Sequence, residues 1–98
     1  MITRIVKMTF QEDKIADFQQ LFESQHTKIK SFEGCQNVVL YQDIHDKSIF
    51  FTYSHWDNEE ALEAYRNSDL FKSLWKSTKA LFSERAAAWS LNEIKVVE

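Results

Sequence analysis

The 98-residue chain contains no proline, one glycine and one cysteine. Without clustered glycine there is no glycine-rich phosphate loop, so dinucleotide and Walker-type fingerprints are excluded. Without proline there is no stiff linker, and no low-complexity stretch divides the chain. The lone Cys35 rules out an internal disulfide and suits a reducing compartment; with no histidine beside it at metal-ligand spacing, it reads as an inert thiol. No apolar run approaches the roughly 18 residues that a membrane span requires. Met1-Ile2-Thr3-Arg4 opens directly into a strand pattern rather than a signal-peptide core, so a cytoplasmic protein with no membrane partner is expected. A net charge of -3, with no face of clustered Lys or Arg, offers no field for phosphate backbones, so nucleic acid is not an expected partner.

What the chain does have is rings: 14% of residues are aromatic, with three Trp and eight Phe. Such side chains fill a core, line a pocket or anchor an interface, and composition alone does not divide them. The length implies one domain, residues 1–98, that buries roughly 60–65% of its unfolded surface if it folds alone.

The run Ile49 to Phe71 organises the rest. Ile49 to Trp56 has strand composition and stops at Asp57-Asn58-Glu59-Glu60, where Asp or Asn can cap a helix and the glutamates sit at its positive end. Alternation places Phe50, Thr52, Ser54 and Trp56 on one side of the strand and Ile49, Phe51, Tyr53 and His55 on the other. Both sides carry large apolar groups, so this strand expects cover on two faces. The chain's own helices can cover one. A second copy of the chain is expected over the other, with Tyr53 and His55 in the seam.

In chain order, Ile2 to Phe10 alternates as a first strand, with Arg4 the odd member of the side carrying Ile2, Val6, Met8 and Phe10. A charge there reaches solvent at the strand's end or meets a partner, which could be an anionic or phenolate ligand. Glu12-Asp13 open a helix striped by Ile15, Phe18, Phe22, Ile29 and Phe32; His26, between Phe22 and Ile29, is either packed or a candidate ligand contact. Gly34 reads as a left-handed residue after that helix. Gln36 to Ile44 is a second strand. His45 and Asp46 lie in a turn whose neighbouring side chains diverge, so no metal site is expected.

After the central strand a helix runs to about Asn67, with Ala61, Leu62 and Tyr65 inward. Asn67-Ser68-Asp69 then recaps a further helix carrying Phe71, Leu74, Trp75, Thr78, Leu81 and Phe82. Ala86 to Val97 reads as the last strand. The order β-α-β-β-α-β predicts an α+β, ferredoxin-like fold, a four-stranded antiparallel sheet with helices on one face. A twin sheet across a two-fold axis would close the other.

The run Phe50 to Leu62, followed by Asn67-Ser68-Asp69-Leu70-Phe71, resembles the antibiotic biosynthesis monooxygenase (ABM) family, whose pattern is a strand ending in Trp, a polar cap, a helix, and a Ser-x-x-Phe step into the next helix. Ile2 to Phe10 and Phe32-Glu33-Gly34-Cys35 also look like the family. The resemblance implies a dimeric α+β barrel, with a cavity in each subunit between sheet and helices. In anthrone-type members a polar residue four before the Trp, the Trp itself and a Tyr on the following helix line the site. Here Thr52 stands where an amide is typical, Trp56 is the Trp, and Leu62 takes the place of the Tyr, with Tyr65 one turn on. The haem-degrading branch uses Asn on the first strand, Trp on the helix and His on the next helix. This chain has Arg4 or Val6, Tyr65 and Trp75 there, and so lacks the axial imidazole.

With no flavin, nicotinamide or metal motif, an oxygenase reading requires that the substrate itself reduce O2, and no cofactor is expected. It needs a dry aromatic pocket for a quinol- or anthrone-like substrate and groups that stabilise its anion. Trp56, Phe71, Trp75 and His26 are candidate walls, and Thr52, Tyr65 and Arg4 candidate polar contacts. Each also has a plain structural role: Trp56 as a core wedge whose indole N–H needs only a backbone acceptor, Tyr65 as cover for the helix joint, Thr52 as a strand former. The alternative function is a non-catalytic dimeric domain that binds a small apolar ligand or only assembles.

Overall fold

In the computed structural model, which describes residues 1–98, the chain starts with strand β1 (Ile2–Thr9). A 3-10 turn (Glu12–Lys14) leads into helix α1 (Ile15–Lys30), followed by strands β2 (Cys35–Gln42) and β3 (Ile49–Trp56). Helices α2 (Glu59–Arg66) and α3 (Asp69–Lys79) precede strand β4 (Ala87–Asn92). The four strands form one antiparallel sheet in the order β2-β3-β1-β4, the ferredoxin-like arrangement, with the second helical segment split in two.

Two expected strands are shorter than their alternation suggests. β4 stops at Asn92, which lies opposite Ile2, where β1 begins; beyond it no neighbouring strand remains to bond Glu93 to Val97. β2 ends at Gln42 because the Asp43 carboxylate accepts the amide hydrogens of His45 and Asp46, which commits the backbone to a turn. Phe32 lies beyond the end of α1 and packs from the following loop against the core.

Register sets the two faces. Arg4 lies between Ser54 and Ser90, Val6 between Thr52 and Ala88, and Ile2 opposite Trp56, so these side chains share the helix-covered side. Ile5, Lys7, Phe51, Tyr53 and Trp89 share the other, over which no helix of the chain lies.

On the covered side the buried residues fall into two groups. Met8, Phe10, Phe18 and Phe50 form one, at the end of β1 near the α3–β4 connection. Ile29, Cys35, Trp56, Leu62 and Tyr65 form the other, at the start of α2. Gly34 makes the second group possible: its φ of 87° is left-handed, and a Cβ there would run into the Ala61 side chain, so only glycine lets this loop lie against α2.

Candidate functional site

A cavity of about 320 Å³ lies between the sheet and the helices, bordered by both buried groups. Nineteen residues line it and fourteen are hydrophobic, which makes it an apolar space with few polar contacts. Arg4, Thr52, Trp56, Tyr65, Phe71 and Trp75 all border it. His26 does not: its imidazole stacks on Phe22 from the surface side of α1, with ring centroids 5.9 Å apart, and lies 3.6 Å from the Glu23 carboxylate. The helical spacing that put His26 near Phe22 placed it one layer too far out.

The walls follow from local chemistry. Asn58 caps α2 by accepting the Ala61 amide hydrogen at 2.8 Å, which starts the helix three residues after Trp56. Ser68 does two jobs at the α2–α3 joint. Its hydroxyl donates to the Tyr65 carbonyl and accepts from the Phe71 amide at 3.1 Å, ending one helix and capping the next. The joint holds the rings of Tyr65 and Phe71 5.2 Å apart, and one turn later Trp75 lies parallel to Phe71 at 5.8 Å.

Trp56 forms the floor. It is 1% exposed, stacks on Tyr65 at 4.8 Å, and donates its indole N–H to the Ser54 hydroxyl at 3.0 Å rather than to the backbone acceptor anticipated. Ser54, two residues earlier on the same strand, is therefore a site residue that the sequence reading left unassigned. Strand alternation was the signal that could have found it. Thr78 is buried by the same wall, but its hydroxyl is spent on the Leu74 carbonyl at 2.7 Å.

The polar groups left for a guest are therefore few. Tyr65 is 8% exposed, and burial, with a smaller effect from Cys35, pushes its phenol well above its ordinary range, so it stays a neutral donor. Arg4 donates to the Ser90 hydroxyl at 2.8 Å. Burial lowers the guanidinium's pKa, the positive charge of Arg66 lowers it further, and Glu63 partly opposes them. Arg66, at the end of α2, also borders the cavity and was not anticipated; it pairs with Glu63 at 2.8 Å. No Asp, Glu or His is among the lining residues. On the β4 side Ala86 and Ala88 border the space, and their small side chains leave it open.

Residues 1–77 match the family described as antibiotic biosynthesis monooxygenase. No curated protein matches the sequence. Among solved structures, a conserved protein from Methanosarcina mazei Go1 is 21% identical, with a TM-score of 0.88 over 95% of this chain and 93% of that one. A crystal structure of an antibiotic biosynthesis monooxygenase is 17% identical, with a TM-score of 0.90 over 97% of this chain and all of its own, 100%. PA3566 from Pseudomonas aeruginosa is 21% identical, with a TM-score of 0.84 over 96% and 94%. At these identities the likeness is one of fold.

Proposed function

This chain belongs to the antibiotic biosynthesis monooxygenase family, and from that premise we propose that its cavity binds a quinol- or anthrone-like aromatic and lets it react with O2 without a bound cofactor. The observation that carries this reading is the convergence of Arg4, Thr52, Trp56, Tyr65, Phe71 and Trp75 on one apolar cavity. For an anthrone the balance is simple. The methylene and O2 give the quinone carbonyl and water; one oxygen atom enters the carbonyl, and the other leaves with the two hydrogens. Electrons pass to O2 from the ionised substrate, so the protein's task is to favour that anion and keep it dry.

Arg4 supplies positive charge and the neutral Tyr65 phenol a hydrogen-bond donor for the developing oxyanion, with Thr52 a third contact. Phe71 and Trp75 hold the ring over the Trp56 floor. With no carboxylate or imidazole in the lining, no side chain there takes the proton, so the substrate gives it to bulk water as it enters, before the walls enclose the anion. The same absence favours a second reading, a non-catalytic domain that binds a small apolar ligand.

Oxygen uptake on a panel of hydroquinones and anthrones separates the two. Wild-type protein is expected to consume O2 with at least one of them, and Arg4→Ala to slow it by about 10–100-fold through loss of an anion-stabilising group. Uptake no faster than buffer on every compound leaves the ligand-binding reading.

We also infer that two chains pair through the open sheet face. Trp89 on that face is 47% exposed, and Tyr41, Tyr53 and His55 form a ladder of edge-to-face rings there, at 6.4 and 4.8 Å. Light scattering should give twice the mass of one chain, and Tyr53→Glu should halve it. A wild-type monomer at micromolar concentration would remove the pairing.

A further inference from the structure

Arg4 and Arg66 reach the same cavity from different elements, β1 and the end of α2; Arg4 is half-buried and Arg66 is exposed at its rim. One carboxylate, Glu63, acts on both charges, and its short contact is to Arg66. Arg4 has a neutral partner, the Ser90 hydroxyl, for one of its five N–H donors. Two guanidiniums against one carboxylate leave an excess positive charge beside an otherwise apolar space, and a partly desolvated cation without a counter-ion is unfavourable until an anion arrives.

Building on the aromatic-ligand reading above, we propose that Arg4 and Arg66 form a clamp for a carboxylate, so that the natural ligand is an aromatic carboxylic acid rather than a neutral aromatic. The apolar walls take the ring system. The carboxylate takes up some of the guanidinium donors that Ser90 and Glu63 leave free, with the planar, two-oxygen complementarity that guanidinium provides, while the charge of Arg4, the Tyr65 phenol and Thr52 still face the ring oxygen. The field at Arg4 agrees: Arg66 acts on it more strongly than Glu63 does. No acidic residue lines the cavity to repel an anion. Glu63, outside the lining, competes for Arg66, which makes it the position where the clamp can be tuned without replacing either arginine.

The test uses the intact protein and isothermal titration calorimetry with 2-naphthoate and 2-naphthamide, which share a ring system and differ in charge. Naphthoate is expected to bind about tenfold more tightly at neutral pH and low salt, with the ratio shrinking as salt is added. Arg66→Gln, at a side chain 42% exposed, should abolish the preference by bringing the affinity for naphthoate down to that for naphthamide. Glu63→Gln should increase the preference, a gain that a merely structural role for these residues would not produce. Equal affinities, a preference that survives Arg66→Gln, or no binding of either compound at millimolar concentration would overturn the clamp. Turnover of plain hydroquinones with no carboxylate preference would overturn it while leaving the oxygenase reading intact. A carboxylate preference with no oxygen uptake on plain or carboxylated quinols would sustain the clamp and remove the reaction.

Discussion

Two aromatic groups on the same side of one sheet are built from similar rings and end in opposite states. Around Phe10 the rings of Phe18, Phe50 and Phe82 close at centroid distances of 4.1–5.7 Å, and Phe10 and Phe50 are each 1% exposed. The chain is sewn over them: Phe10 and Phe82 form an isolated bridge, and the Gln11 amide donates to the Leu81 carbonyl at 3.0 Å. Phe18 borders the cavity from this side, but Phe10 and Phe50 do not; around Tyr65 the rings meet just as closely, and Trp56, Tyr65 and Phe71 all border it. There the helix breaks at Ser68, alanines face the space from the β4 side, and the rings carry an indole N–H and a phenol. Aromatic richness therefore does not distinguish core from pocket. What does is whether the opposing wall has side chains large enough to fill the gap and whether the rings bear polar atoms that need partners.

The sharpest way to break this contrast is to remove one ring from each group. Phe50→Ala should cost about 3–5 kcal/mol in urea unfolding, since it opens a void in a sealed core. Phe71→Ala, at a half-buried ring that already borders empty space, should cost only about 1 kcal/mol while weakening ligand binding. Equal costs would mean that the two groups are packed alike and the distinction is false.

The smallest effect at neutral pH is expected for Tyr65→Phe, because burial and charge, rather than a hydrogen bond, shift its phenol. The difference emerges in alkali. The folded phenol keeps its proton above the ordinary value of 10.0, where the unfolded chain has lost it. The folded state then binds more protons, and stability that is complete below that value drains away as pH rises through and beyond it. The Phe variant lacks this titration and should lose less stability by about pH 11, as followed by circular dichroism in parallel with tyrosinate absorbance. Identical alkaline curves for the two proteins would show that the phenol is not desolvated.

Much of the architecture was legible before any coordinates. β3 occupies the same Ile49–Trp56 span that its composition marked out, because a strand's apolar residues end where capping residues begin. Its alternation put Thr52 and Trp56 on one side, and Arg4 followed from the same rule on β1. His26 and Arg66 show where such reading stops. Position on a helix gives a direction from its own axis, but which directions point into a cavity depends on the angle at which the next element departs. Arg66 reaches the rim because α2 ends there, and Ser90 becomes Arg4's partner because β4 pairs with β1 rather than with β2.

The amino-acid sequence by itself determined the element order, the two-faced central strand and the identity of the rings, since these depend on periodicity and capping, which act between near neighbours. Tertiary structure alone decided that there is a cavity, that it lies between two half-cores, and that two arginines 62 positions apart (66 less 4) share its border. A void is a mismatch between surfaces contributed by distant segments, and no local rule can register space that none of them individually contains.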